Sequence, residues 1–176
     1  ETILQWNGNL FIGALAGKSE IMSVLDPTQK ILRHPHSGTF SANPISTTAG
    51  YIAMDMFNKE SVKNLNNLTD IAKKQINESI NIAGISACVT GVGSMFRIHF
   101  TSKEPKSFRE AYQSIELREI ITDLLDYLFL NENIIMINTC SCMFATTLQQ
   151  KDVDRLSEAL LNGFRIIKPR LEKIVK

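Results

Sequence analysis

The chain has 176 residues, of which 44% are apolar and 21% are charged, and its formal net charge at pH 7 is +1. These values are typical of a soluble globular protein about one domain long. A net charge this small gives no field that would steer the chain onto nucleic acid or anionic lipid. The cysteines Cys88, Cys140 and Cys142 lack the second Cys or His pair of a zinc site, which favours free thiols in a reducing cytoplasm.

The beginning of the chain gives two further expectations. No apolar run approaches the roughly 20 residues that span a bilayer, and no signal-like leader is present, so we expect a cytoplasmic protein. The opening E-T-I-L-Q-W has no initiator Met and lies close to a strand-like run. This indicates a fragment or one piece of a split protein.

The first elements are short. The apolar run Leu10 to Leu15 predicts a buried strand, and Ser19 is expected to cap a short helix that ends at Asp26. After Asn43-Pro44 an apolar stripe at three- and four-residue spacings predicts a long helix, interrupted at Asn58 and continuing to Ile80. One strand and one short helix cannot form a core, so the N-terminal segment indicates the edge of a larger α/β domain.

The period changes from about residue 85. A β segment over residues 87–92 is followed by M-F-R-I-H-F-T, in which Phe96, Ile98 and Phe100 alternate with His99 and its neighbours. This alternation predicts a half-buried strand with His99 on the outward face. Gly91 and Gly93 between the two segments indicate a turn or bulge.

The C-terminal part continues with a helix opening near Ser107, the strands I-I-M-I-N and C-M-F-A-T-T, and a last helix beginning in Q-Q-K-D. Pro169 is expected to kink or break that helix. The order from about residue 84 is therefore β-β-α-β-β-α, an α+β layer of antiparallel strands covered by helices.

The sequence gives only weak support to three kinds of site: a P-loop, a metal site and the active site of a serine hydrolase. The segment G-A-L-A-G-K-S at 13–19 lies between a strand and a helix, but Ile12 stands where a phosphate-binding P-loop has its first Gly. His34 and His36 could bind a metal, yet no carboxylate or third His joins them in a known pattern. Ser37, Ser41 and Ser94 lack the G-x-S-x-G elbow of serine hydrolases.

The stretch H-S-G-T-F-S-A-N-P at 36–44 is a better candidate. Gly38 followed by Thr39 offers backbone N–H groups and a hydroxyl, which suit an anion such as a phosphate. Asn43-Pro44 would fix the entry to the long helix, with Pro44 in its first turn. A plain surface loop is the alternative that this pattern leaves open.

Four stretches, in order, resemble class III aminotransferases, and among these the glutamate-1-semialdehyde aminomutases. G-T-F-S-A-N-P-I-S-T-T-A-G at 38–50 is similar to their G-T-x-S-G-N-P-x-x-x-A-A-G segment, and G-S-M-F at 93–96 to their G-S-M-F strand. L-F-I-G-A-L-A-G-K-S-E-I-M at 10–22 resembles L-P-x-G-A-x-G-G-x-x-E-I-M. F-A-T-T-L-Q-Q-K-D-V-D-R at 144–155 resembles F-x-S-T-x-x-x-x-E-D-I-D-R.

The resemblance implies an α/β plus α+β fold, the C-terminal part of a fold type I transferase that depends on pyridoxal 5'-phosphate (PLP). Residues 1–44 would be the remnant of the large PLP-binding domain with its phosphate loop. Residues 45–83 would be a long interdomain and dimer helix region, and residues 84–176 the small α+β domain with an antiparallel sheet. Gly38 and Thr39 take the positions that reach the cofactor phosphate of the neighbouring subunit, which implies a dimer.

The chain departs from the family at the lysine that holds PLP covalently. Leu4 stands in that place, with Asn7, Gly8 and Asn9 where the family has glycines, and a substrate-side carboxylate falls loosely near Cys140. We therefore predict no catalytic residue here, and a chain that is inactive by itself. Two hypotheses remain: a portion of an aminotransferase-like or aminomutase-like enzyme, working as a homodimer or with a partner chain on a semialdehyde or keto acid, or a non-catalytic pseudoenzyme or assembly module.

Overall fold

The computed structural model describes residues 2–6, 12–31, 33–36, 38 and 41–175. The chain divides into two compact units, Glu1–Asn58 and Lys59–Lys176. None of the helices in the described ranges has the length and apolar character that a membrane span requires.

The first unit contains a two-stranded antiparallel sheet. Strand β1 (Thr2–Trp6) pairs with β2 (Ile12–Ala16), and helix α1 (Ser19–Met22) follows. The predicted strand over Leu10 to Leu15 is confirmed as β2 in its described part, whereas β1 was not predicted. The segment T-I-L-Q-W is only five residues long and carries no turn residue at its start, so its sequence pattern is weak evidence for a strand.

The start of α1 differs from the prediction. Ser19 is the first helical residue and not the cap; Lys18 occupies the N-cap position and makes no side-chain hydrogen bond there. The α-helix also ends earlier than predicted, at Met22, and a single 3-10 turn over Ser23–Leu25 continues to Asp26. The Asp26 carboxylate accepts hydrogen bonds from the Thr28 hydroxyl (2.7 Å) and the Gln29 side-chain amide (3.0 Å). These bonds favour the ionised carboxylate and lower the pKa of Asp26.

Helix α2 (Pro44–Met56) begins where the sequence predicts. The Asn43 side-chain oxygen accepts hydrogen bonds from the backbone N–H groups of Ile45 (3.0 Å) and Ser46 (3.2 Å), and Pro44 occupies the first helical turn. The predicted interruption at Asn58 is also confirmed. The chain resumes as α3 (Lys59–Ala83), which belongs to the second unit.

The second unit is an α+β layer with a three-stranded antiparallel sheet in the order β3-β4-β5. Its elements after α3 are β3 (Cys88–Thr90), β4 (Met95–His99), α4 (Ile115–Glu132), β5 (Ser141–Met143) and α5 (Gln150–Leu171). The predicted class of this part is confirmed, with one strand fewer than expected.

Helix α5 supplies the centre of the core. Its predicted apolar stripe is buried at every position, none more than 9% exposed: Val153, Leu156, Leu160, Phe164 and Ile167. The helix packs against α3 and α4. A Cβ added at Gly163 would lie 2.4 Å from Leu124 Cδ1, so α4 and α5 pack closely here and a side chain at this position would require Leu124 to move.

The segment I-I-M-I-N at 134–138 is not a strand, contrary to the prediction. Asn133 takes a left-handed conformation (φ 54°), and the backbone N–H of Ile134 donates to Leu128 O at 2.9 Å, which closes the end of α4. The segment alternates as predicted, with Ile134 and Met136 packed against the core and Ile135 exposed. It has no strand partner among the described residues, so the order of the elements after α3 is β-β-α-β-α.

The start of α4 and the course of α5 at Pro169 also differ from the prediction. Helix α4 begins at Ile115 and not near Ser107, because the Ser114 hydroxyl caps it by accepting a hydrogen bond from Leu117 N at 3.2 Å. Pro169 does not break α5, which continues to Leu171. Pro169 lies in the last turn of α5, so its missing N–H removes a single intrahelical hydrogen bond close to the end of the helix.

Gly91, between β3 and β4, should not tolerate a side chain. Its φ is 153°, and an added Cβ would lie 2.2 Å from Met95 O and 2.5 Å from Phe96 Cα, both backbone atoms that cannot rotate away. The Gly91→Ala variant should lose on the order of 3 kcal/mol or more of unfolding free energy in urea, from strain and overpacking together.

Gly93 provides the matched control. Its φ is 61°, and the nearest atom to an added Cβ is the side-chain Asn66 Oδ1 at 3.3 Å. The Gly93→Ala variant should therefore lose only about 1–2 kcal/mol. Equal losses for the two variants would contradict the close approach at Gly91.

Candidate functional site

The predicted phosphate loop lies in the first unit, immediately before α2. Gly38 is exposed, and its carbonyl accepts a hydrogen bond from Ser41 N at 2.9 Å. Ala42 has a positive φ of 58° and leads into the Asn43 cap of α2. Thr39, the second predicted phosphate residue, lies outside the described residues, as do Ser37 and Phe40.

The described part of this loop is open at Gly38. A Cβ on Gly38 would meet Ser41 Oγ at 3.0 Å, so the absence of a side chain leaves the backbone open beside a serine hydroxyl. The Ile45 and Ser46 N–H groups of α2 are not available, because Asn43 Oδ1 accepts both hydrogen bonds. Two of the N–H groups at the start of α2 are therefore already occupied by the cap.

The position that the resemblance assigns to the covalent lysine lies inside a strand. Leu4 is the central residue of β1 and pairs with Ala14 of β2. The side chains of Lys18 and Lys30 are exposed. Asn7, Gly8 and Asn9 lie outside the described residues.

The second unit contains a cavity of about 820 Å³. Residues of the sheet, of segment 134–137 and of the beginning of α5 line it. Most of them are apolar, among them Val92, Met95, Ile134, Met136 and Leu148. A cavity of this size and character suits a small organic ligand.

Arg97 of β4 also lines this cavity. It lies opposite Thr90 of β3 and Ser141 of β5 in the sheet. Its side-chain Nε is buried and has no hydrogen-bond partner. The strand alternation predicts Arg97 on the same face as His99, and Arg97 is not among the predicted site residues; its position within the otherwise apolar M-F-R-I sequence was the available signal.

His99 does not face outward, contrary to the prediction. It is 9% exposed, and its Nε2 lies 2.9 Å from the Thr90 hydroxyl across the β3–β4 pair. Burial lowers the pKa of His99, and the charge of Arg97 lowers it further, whereas Glu104 acts in the opposite direction. His99 is therefore a buried, hydrogen-bonded member of the sheet.

The cysteines are free thiols in the structure. Burial raises the pKa of Cys140 to about 12 and that of Cys142 to about 11, so neither is a thiolate at neutral pH. His34 and His36 are exposed. The described ranges contain no group of three or more His, Cys, Asp or Glu residues that could hold a metal.

Curated relatives of the chain are aminotransferases and aminomutases. It is 38% identical over 126 residues to an uncharacterised aminotransferase of Schizosaccharomyces pombe. The matched stretch is 67% of this chain and 27% of the relative. It is 34% identical over 105 residues to glutamate-1-semialdehyde 2,1-aminomutase of Methanosarcina acetivorans, covering 59% of this chain and 24% of that enzyme. No protein-family model matches the chain.

The structural similarity extends over both units. An omega-transaminase from Sphaerobacter thermophilus covers 89% of this chain with a TM-score of 0.83 and 28% identity, and the chain covers 35% of it. A glutamate-1-semialdehyde aminomutase from Pseudomonas aeruginosa shares the fold with a TM-score of 0.67 at 16% identity over 82% of this chain. The resemblance to class III aminotransferases is confirmed.

The predicted fold class is confirmed with it: helices and a small antiparallel sheet that match a C-terminal part of PLP-dependent transaminases. The chain spans about a quarter of the length of the curated relatives and about a third of the solved structures. One solved structure that shares the fold, at 24% identity over 92% of this chain, is a transaminase with PLP bound.

His99 should make stability depend on pH. The unfolded residue titrates near 6.5 and the folded one lower, so between these values the unfolded chain binds more protons. Stability should therefore fall as pH falls below 6.5, and the His99→Gln variant should lose that part of the slope. Urea unfolding at pH 7.5, 6.5 and 5.5 measures it.

If the unfolding free energies of the wild type and the His99→Gln variant changed equally with pH, His99 would be equally easy to protonate in the folded and the unfolded chain, which would contradict the prediction.

Proposed function

We propose that the chain supplies a phosphate-binding loop for PLP, formed by Gly38 and Thr39, in an aminotransferase-like or aminomutase-like protein. The reaction would be amino-group transfer on a semialdehyde or keto acid. The observation that carries the proposal is the exposed Gly38, whose carbonyl accepts a hydrogen bond from Ser41 N two residues before the Asn43 cap of α2.

The relatives support the cofactor and the reaction class. They include glutamate-1-semialdehyde 2,1-aminomutases and an omega-transaminase, and the chain matches their C-terminal parts. PLP, when bound, supplies the electron sink for chemistry at the amino-bearing carbon. The role of this chain would be to hold the phosphate: the backbone at Gly38 and the hydroxyl of Thr39 would donate hydrogen bonds to its oxygens.

We also propose that the site is completed by a second copy of the chain or by a partner chain. Helix α2 exposes large apolar side chains and buries only Gly50: the exposed residues are Ile45, Tyr51, Ile52, Met54 and Met56. Apolar residues clustered in this way are typical of an interaction surface. A partner covering α2 would place another polypeptide next to the loop at residues 38–43.

A second candidate function is a non-catalytic binding or assembly module. The position of Leu4, paired with Ala14 in the middle of β1, favours it, since the resemblance assigns this place to the lysine that attaches PLP. Both candidates share the phosphate loop, and they differ in whether another polypeptide supplies the lysine.

The phosphate loop is tested by NMR titration of the chain with PLP. PLP should shift the amide resonances of Gly38 and Thr39, and pyridoxal, which lacks the phosphate, should not. The Thr39→Val variant loses the hydroxyl at constant shape and should bind PLP about tenfold more weakly, as expected for one hydrogen bond to a charged group. The Thr39→Ser variant keeps the hydroxyl and should bind like the wild type.

Equal shifts with PLP and pyridoxal, or equal affinities of the Val and Ser variants, would contradict the proposal. Borohydride reduction followed by mass spectrometry separates the covalent question. A stoichiometric adduct on one lysine of this chain would show that Leu4 does not mark a lost attachment site.

A further inference from the structure

We propose that the thiols of Cys140 and Cys142 together bind a monovalent thiophilic metal ion, Cu(I). The ion would be held between two thiolates, with no carboxylate or imidazole among its ligands. The site lies in the Lys59–Lys176 unit, so it does not rest on the phosphate-loop proposal.

The two cysteines lie on the same side of the three-stranded sheet. Cys142 of β5 stands opposite Phe96 of β4, and the carbonyl of Cys140 accepts a hydrogen bond from Ile98 N at 3.0 Å. Residues two apart in a strand point to the same face. Burial agrees with this, because Cys140 belongs to the same hydrophobic core as Phe96 and Ile98, and Cys142 packs against it. Both are free thiols.

The two sulfur atoms are close enough for each charge to affect the other. Burial raises the pKa of Cys140 to about 12, Cys142 contributes to the same rise, and the charge of Arg97 acts in the opposite direction. A pair of thiolates therefore needs a cation between them. Two thiolates and one Cu(I) keep one net negative charge, which the positive charge of Arg97 would offset.

The surroundings of the pair favour a soft ion. Cys142 lines the cavity of the second unit, which gives an ion a path to the thiols, and three methionines line the same cavity: Met95, Met136 and Met143. Thiolate and thioether sulfur select Cu(I), whereas Mg²⁺ and Ca²⁺ prefer oxygen.

Zinc fits the pair less well. A structural zinc site takes four ligands, mostly Cys and His. Within the described ranges no group of three or more His, Cys, Asp or Glu residues could hold a metal. Cu(I) also forms linear complexes with two thiolates, so the pair is sufficient for it.

Binding exchanges protons for the ion, because both thiols are protonated at neutral pH. Each S–H bond breaks, each sulfur forms a bond to Cu(I), and two protons leave to solvent with no change of oxidation state. The affinity should therefore rise about a hundredfold for each pH unit in the neutral range.

The test is an anaerobic titration of the 176-residue chain without PLP. Cu(I) is supplied as its acetonitrile complex, and the coloured chelator bathocuproine disulfonate competes for it at pH 6.5, 7.0 and 7.5. The chain should take a stoichiometric amount of Cu(I) from the chelator. X-ray absorption of the complex should show only sulfur neighbours, and Cu(I) should raise the melting temperature of the chain.

Variants assign the binding to the pair. The Cys142→Ser variant should bind Cu(I) about a hundredfold more weakly or worse, because a ligand is lost, and its affinity should rise only about tenfold per pH unit. The Cys88→Ser variant is the matched control. It removes a free thiol from β3, at the other edge of the same sheet, and should bind like the wild type. Thermal unfolding reports whether each variant is folded.

The proposal is overturned if the chelator keeps all the Cu(I), or if the wild-type affinity rises only about tenfold per pH unit. It is also overturned if the Cys142→Ser variant binds like the wild type, or if the Cys88→Ser variant loses as much affinity. Should the Cys142→Ser variant fail to fold, the pH dependence and the X-ray absorption of the wild type decide, and nitrogen or oxygen neighbours count against the site. Because the probe is a metal ion alone, failure here leaves the PLP loop unaffected.

Discussion

The close packing of α5 against α3 and α4 is the constraint on which the second unit depends. Gly163 allows α5 to approach Leu124 of α4 so closely that an added Cβ would lie 2.4 Å from Cδ1. On the other side, Lys168 Nζ donates to the carbonyl of Ala83 at the end of α3, at 2.9 Å. The buried stripe of α5 fills the space between them, and burial of so many large apolar side chains is the main favourable term in its stability.

The same helix also packs against the sheet. Phe100, just after β4, meets Phe164 of α5 edge to face, with centroids 6.2 Å apart, and Phe96 meets Phe144 in the same manner at 5.3 Å. Since side chains alternate along a strand, burying Phe96 and Phe100 turns Arg97 away from that face. The core packing thus determines on which face of the strand Arg97 lies.

The sequence predicted long periodic elements well, because an amphipathic helix carries its pattern locally. The stripe of α5 and the break at Asn58 follow from spacing alone, and Asn43 is recognisable as a cap. Features decided by distant partners were missed. In the segment I-I-M-I-N, buried and exposed side chains alternate as they do in a strand, but a strand also needs a neighbouring strand to pair with. His99 was placed in solvent because its strand was treated alone, whereas Thr90 and the chain around it bury it.

Amide hydrogen exchange of the whole chain tests most directly whether α5 holds the second unit together. If it does, the amides of α5 from Leu156 to Ile167 should be among the slowest. They should also share one opening free energy with β4 and with the buried parts of α3 and α4, equal to that of global unfolding in urea. Exchange of these α5 amides through a local opening, while β4 stays protected, would contradict the account.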